Sequence, residues 1–218
     1  MMDMRSVEKI EYGSVSAVRV VPNQGICRKL ATRYIAFDTE TTGLDPEEDR
    51  IVELGAVIFE NGIPTDSFRT CVNPGRGISP QASAINHITD EILARAPAET
   101  VVYPRLMDFM GDAVNGETLI CGHVAAFDMS FLCRTMNRLG LSGRFRYVDT
   151  RQMAAKIPEL EHHGLAAVAE YYGVSQENPH HAEEDALTSG RILWKMLNKP
   201  EVNSWSESSV PDVPDVAS

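Results

Sequence analysis

The chain lacks a Cys-x-x-Cys pair, a long apolar run and an excess of positive charge, and each absence removes a class of function. Its four cysteines, Cys27, Cys71, Cys121 and Cys133, are scattered, so a zinc ribbon has no ligand frame. Cys71 and Cys121 lie in apolar stretches, where reduced core thiols of a cytoplasmic protein are expected. No stretch approaches the roughly 18 apolar residues that span a bilayer. Ser16 and Arg19 interrupt Val15–Val21, so the N-terminus carries no signal-peptide core. The expectation is a soluble, cytoplasmic protein without a membrane partner. Lysine and arginine number 20 against 31 acids, a net charge of −11, which argues against a surface that grips a polyanion throughout. No internal repeat is visible.

What is present suits one globular domain: 218 residues, 43% of them hydrophobic. The charge is uneven. Between residues 131 and 156, Arg134, Arg138, Arg144, Arg146, Arg151 and Lys156 face a single acid, Asp149. A local basic strip on an acidic body suits an enzyme that holds a short stretch of nucleic acid, although a solvated helix face would look the same.

Residues 1–30 alternate only weakly and form an extension without assigned structure. Strands are expected at Tyr34–Asp38, Ile51–Glu60, Ser67–Val72, Thr118–Cys121 and Tyr147–Asp149, with Asn61-Gly62 as a hairpin turn. Helical spacing or caps place helices at Pro80–Ile85, Thr89–Ala94, Glu99–Ala113, Ala126–Leu139, Leu165–Tyr172 and Ala182–Leu197. Three strands followed by alternating strands and helices predict an α/β domain over 31–198, with a mixed five-stranded sheet flanked by helices. Residues 199–218 turn to Ser, Pro, Val and Asp, the composition of a disordered tail.

Three segments carry acids and histidines at chemically useful spacings. In Phe37-Asp38-Thr39-Glu40-Thr41-Thr42-Gly43-Leu44, Asp38 and Glu40 sit two apart at a strand end. Their side chains share a face, with backbones about 6.6 Å apart. Paired carboxylates repel unless a cation lies between them, and hard cations such as Mg²⁺ take oxygen ligands. A bare Asp-x-Glu is also a common acidic exit from a strand. In His123-Val124-Ala125-Ala126-Phe127-Asp128, Asp128 falls in a first helical turn, where the dipole alone favours an acid. In Pro179-His180-His181-Ala182-Glu183-Glu184-Asp185, a continuous helix would set His180 and Asp185 about 140° apart. A helix starting near Ala182 instead leaves His180 in a loop that can bring it to the face of Asp185. A mobile imidazole beside carboxylates is what a water-activating base requires. His181 reads as an exposed loop residue.

Together the segments resemble the DEDDh exonucleases (DnaQ-like, with the ribonuclease H-like fold). The first matches the family's FDxETTGL, the third HxAxxDA, and the second HNAxFD except that Val124 replaces Asn. Val72-Asn73-Pro74-Gly75, Ile88-Thr89-Asp90-Glu91 and Leu165–Val174 extend the likeness over roughly residues 32–198. The resemblance implies a 3′→5′ exonuclease with two divalent ions, Mg²⁺ or Mn²⁺. Asp38, Glu40 and Asp185 would hold one ion, Asp38 and Asp128 the second, and His180 would be the general base. Thr39, Thr41, Leu44, His123 and Phe127 would hold the terminal nucleotide, with Leu44 as a wedge against its base. Family members with His-Gly before Ile-Thr use that His near the base, whereas this chain reads Asn86-His87-Ile88, its His displaced by one. The implied partner is a single-stranded or frayed 3′ end of DNA, with a DNA polymerase as a second partner. Action on RNA is the competing reading. A non-enzymatic module would have lost an acidic ligand, and none is lost.

Overall fold

The computed structural model describes residues 8–198; the expected tail, 199–218, lies outside them. In chain order the elements are β1 (Lys9–Tyr12), β2 (Val15–Arg19), α1 (Gln24–Thr32), β3 (Arg33–Thr41), β4 (Ile51–Glu60), β5 (Ile63–Cys71), α2 (Pro80–Asn86), α3 (Asp90–Leu93), α4 (Glu99–Met110), β6 (Leu119–Gly122), α5 (Ala125–Arg138), β7 (Gly143–Asp149), α6 (Thr150–Ala154), α7 (Leu165–Tyr172) and α8 (Ala182–Leu197).

The strands form one mixed sheet in the order β1-β2-β7-β6-β3-β4-β5. It has seven strands where the sequence led us to expect five. The additional pair comes from the N-terminal extension: β1 and β2 make an antiparallel hairpin, and β2 then runs parallel to β7 with Val15 opposite Gly143. A hairpin of four- and five-residue strands, joined to the sheet only through a partner of β2 more than a hundred residues away, leaves little local pattern. The expected Asn-Gly turn joins β4 to β5, with Asn61 and Gly62 both at positive φ, 51° and 78°, as a type I′ hairpin needs.

Both faces of the central strands are covered, and the period of two along each strand sorts residues between them. Ile35, Phe37, Leu54, Ala56 and Ile58 pack with Val102, Leu106, Phe131 and Leu132 of α4 and α5. Tyr34, Ala36, Val57 and Phe59 pack with Val168, Ile192 and Leu193 of α7 and α8. The helix α8 lies tight on the sheet. The Tyr34 hydroxyl donates to the Gly190 carbonyl at 2.9 Å, and a Cβ on Gly190 would come within 2.3 Å of the Phe59 ring. By parity Asp38 and Glu40 fall on the α8 face, while α5 covers the other. All four cysteines are free; Cys121 and Cys133 are buried, whereas Cys71 is only half-buried. Among the described residues no helix is long and apolar enough to cross a membrane.

Candidate active site

Four carboxylates and one imidazole meet at the C-terminal end of β3. The strand delivers Asp38 and Glu40, and a β-bulge between Glu40 and Thr41 ends its regular pairing with β4. Asp185 enters from the first turn of α8. The helix starts at Ala182, with His181 as its N-cap, so His180 stands outside it in a left-handed conformation, φ 68°. That turn carries the imidazole back: ligand atoms of Glu40, His180 and Asp185 all lie within 4.8 Å of one another. Asp128 arrives from α5, on the opposite side of the sheet. Its Oδ1 accepts from the Thr39 backbone N–H at 2.9 Å and from the Thr39 hydroxyl at 2.8 Å.

Burial and mutual repulsion raise the pKa values of three of these acids. Burial, then Asp128, Asp185, Glu40 and Glu53, push Asp38 well above the usual carboxylate range. Glu40 is pushed to about 8 by burial first and then by Asp185, Glu53 and Asp128, against a lowering contribution from Asn86. Asp128 rises to about 7, chiefly through burial, with the Thr39 hydrogen bonds opposing. Among the described residues no hydrogen bond reaches the Asp38 carboxylate. A hard divalent ion with an affinity for several oxygens fits this donor set.

Neighbouring groups hold these acids in place. The Asp185 Oδ1 accepts from Gln176 Nε2 at 2.9 Å, and its Oδ2 from the His180 backbone N–H at 3.2 Å. Glu53 faces Glu40 across β3 and β4 and is 1% exposed. Its carboxylate accepts from Arg69 Nε at 2.9 Å and from the Ala182 N–H at 3.1 Å. His181 is half-buried, its Nδ1 3.4 Å from Arg69 Nη2, and so is not the exposed loop residue it resembles in sequence. Sequence reading missed Glu53, Gln176 and Asn86. For Glu53 a signal existed: it is the single charge within the apolar run Ile51–Phe59, where an unpaired acid would be costly. Asn86 is buried beside Glu40, while His87 follows at φ 59°, the left-handed conformation that favours glycine.

The five residues expected to hold a nucleotide divide. Leu44 is 63% exposed just beyond β3, and Phe127 is half-buried against Phe131. Thr39 and Thr41 are buried, with hydroxyls given to Asp128 and to the Gly43 carbonyl. His123 Nε2 lies 2.9 Å from the His163 carbonyl and Nδ1 2.9 Å from the Thr150 hydroxyl. A carbonyl only accepts, so Nε2 carries the proton; burial lowers the ring's pKa to about 4 and keeps it neutral. The side chains of Thr39, Thr41 and His123 are thus engaged within the protein. The basic strip also disperses in space: Arg134 pairs with Glu47 at 2.6 Å, Arg138 with Glu99, and Arg151 donates to the His163 carbonyl. Val124 sits at φ 69°, a conformation that Asn tolerates and a β-branched residue resists.

Comparison with known proteins gives the family. The family RNase_T, described as exonuclease, matches residues 35–193. DNA polymerase III PolC-type from Clostridium perfringens is 34% identical over 161 residues, covering 73% of this chain and 11% of that protein. The Thermotoga maritima PolC-type chain is 32% identical, covering 80% and 13%. This chain thus spans about a tenth of the length of these relatives. Among solved structures, Exonuclease X in complex with 5′-overhanging duplex DNA has a TM-score of 0.59 at 26% identity, covering 77% of this chain and 91% of that one. The nuclease domain of 3′hExo, a DEDDh family member bound to rAMP, has a TM-score of 0.64 at 20% identity, covering 77% and 92%. With the family's exonuclease region matched over residues 35–193, most of the chain, the protein belongs to the RNase_T exonuclease family.

Proposed function

We propose that the protein hydrolyses single-stranded DNA from the 3′ end, releasing nucleoside 5′-monophosphates. One observation carries the reading: Asp38, Glu40, Asp128 and Asp185 converge with His180 at one strand end, with no basic side chain bonded to any of the four acids among the described residues. Asp38, Glu40 and Asp185 would hold one divalent ion, and Asp38 with Asp128 a second. Two bound Mg²⁺ or Mn²⁺ ions supply a water-derived nucleophile near neutral pH and charge stabilisation on both the attacking and leaving oxygens.

The protein's own groups do the rest. His180, exposed and tethered only through its backbone, takes the proton of the attacking water. Asp185, fixed by Gln176, and Asp128, fixed by Thr39, hold their carboxylates in place. Leu44 offers an apolar edge to a terminal base that has left its stack, and Phe127 would contact the same nucleotide. The name of the PolC-type relatives, DNA polymerase III, supports DNA as substrate and a DNA polymerase as partner; proofreading or repair is the setting we propose.

The test is digestion of 5′-labelled single strands of DNA and RNA, equal in length, with Mg²⁺, Mn²⁺ or EDTA. The expected result is a ladder shortening from the 3′ end, faster on DNA and absent in EDTA. Labelled mononucleotide appearing first would reverse the polarity, cleavage in EDTA would remove the metals, and faster loss of RNA would replace the substrate.

A further inference from the structure

The His180 ring makes no hydrogen bond among the described residues, although it is one of three groups gathered within 4.8 Å at the site. An imidazole held by no side chain is aimed by its backbone, so whatever fixes residues 180–182 aims the ring. We infer that Glu53, through its ion pair with Arg69, is the positioning residue for His180. This rests on the general-base reading of His180 given above.

Three observations converge on Glu53. It is a carboxylate buried to 1% exposure inside a strand that is otherwise apolar from Ile51 to Phe59. A buried charge persists where partners satisfy it, and here both oxygens are used. Oε1 accepts from Arg69 Nε at 2.9 Å and Oε2 accepts from the Ala182 N–H at 3.1 Å, while His181 Nδ1 lies 3.9 Å from Oε2, beyond hydrogen-bond distance. Arg69 closes the ring of contacts, its Nη2 lying 3.4 Å from the same His181 nitrogen. An arginine can only donate, so this contact sets His181 with its proton on Nε2. The two residues that follow His180 are therefore gripped, one by its side chain and one by its backbone.

The second observation is two residues along the same face of β4. A Cβ on Gly55 would fall 2.1 Å from the Ala182 carbonyl carbon and 2.3 Å from the Glu183 nitrogen. The first turn of α8 rests directly on bare strand backbone there, so Glu53 meets Ala182 at a seat with no slack. The third is the left-handed turn at His180, φ 68°. That conformation is uncommon for a residue with a side chain and persists where its surroundings impose it. The grip on the next two residues supplies that constraint from one side, and the bond from the His180 N–H to Asp185 supplies it from the other.

Glu53→Gln breaks the arrangement with little change of shape. One oxygen remains, so either Arg69 or the Ala182 N–H must face an amide NH₂, donor against donor. We measure kcat and KM on a single-stranded oligonucleotide, together with Mn²⁺ affinity by calorimetry, for Glu53→Gln, Arg69→Met and Arg69→Lys. Each is made in the native sequence and in the His180→Ala background. Outer groups that orient reactive ones typically contribute on the order of 10–100-fold. The expected result is a fall in kcat of about that size for Glu53→Gln and Arg69→Met. KM and the Mn²⁺ Kd should stay within a small factor, and Arg69→Lys should recover part of the rate. In the His180→Ala background the same substitutions should cost almost nothing, because the residue they aim is gone. A merely structural role would lower the rate equally in both backgrounds, and that result would overturn the inference. So would a large loss of Mn²⁺ affinity, or an unchanged kcat. Should Glu53→Gln fail to fold, Arg69→Met, at a side chain 44% exposed, carries the same comparison. If His180→Ala is itself silent, the general-base reading falls and this inference with it. If His180→Ala is damaging while Glu53→Gln and Arg69→Met are harmless, the inference alone falls.

Discussion

Replacing Asp38 with asparagine removes one charge from the carboxylate group while keeping the side chain's shape, and the metal-free protein should become more stable. The cause lies in the neighbours: Asp128, Asp185, Glu40 and Glu53 all push the Asp38 pKa up, after burial, and no hydrogen bond to its carboxylate is lost on substitution. At an effective dielectric constant near 20, two charges about 5 Å apart repel by roughly 3 kcal/mol. Partial exposure at the rim and partial protonation reduce this, leaving an expected gain of about 2 kcal/mol near pH 8. The pH dependence follows from sign. Acids with raised folded-state pKa values bind more protons folded than unfolded, so their contribution is fully present below about pH 4 and is lost as pH rises through the folded values. For Asp128 and Glu40 these are about 7 and about 8. The native metal-free protein should therefore weaken between about pH 4 and pH 8, and Asp38→Asn should weaken less. In a domain of this size about 2 kcal/mol corresponds to an increase in melting temperature of roughly 4–8 °C. Thermal unfolding in EDTA at pH 5 and pH 8 measures it. Saturating Mn²⁺ should reverse the order, because binding stabilises the native protein by mass action. A variant that melts at or below the native protein at pH 8 in EDTA would refute the argument from repulsion.

Three further outcomes are expected. Val124→Asn should stabilise the protein by about 1 kcal/mol, since asparagine accepts the left-handed backbone at φ 69° that a β-branched residue resists; chemical denaturation would detect it, and a loss of stability would contradict the strain. Gly55→Ala should lower the melting temperature and weaken Mn²⁺ binding together, because the added carbon meets the Ala182 backbone at 2.1 Å and must lift the turn that carries Asp185; a drop in one without the other would separate fold from site. Single strands and mismatched 3′ ends should be degraded faster than blunt duplex, since unpairing a terminal base costs a few kcal/mol; Leu44→Ala should narrow that difference, and faster digestion of blunt duplex would remove the wedge.

Much of the site was legible because its cues are local. The period of two put Asp38 and Glu40 on one face, and Pro179 with the acids after Ala182 marked where α8 begins and hence where His180 could turn. What escaped depends on pairings distant in the chain. The Thr39 hydroxyl belongs to Asp128, 89 residues away, so Thr39 looks free in sequence and is not. The six basic residues near 131–156 are neighbours along the chain, yet Glu47 and Glu99 reach in from elsewhere to claim two of them. The hairpin of β1 and β2 is stabilised by β7, and nothing within residues 1–30 announces that partner.

The carboxylates come from three layers: Asp185 from the helix on one face of the sheet, Asp128 from the helix on the other, and Asp38 with Glu40 from the strand between them. Two ions sharing Asp38, one held also by Asp185 and the other by Asp128, would together act as a rivet through the thickness of the domain. Occupancy would then be felt far from the chemistry: amide exchange should slow together along α5 and α8 when Mn²⁺ is added, although the two helices lie on opposite sides of the sheet. By the same coupling, any substitution that loosens either helix from the sheet should weaken the grip on the ion before it unfolds the chain, so metal affinity becomes a sensitive gauge of packing throughout the domain.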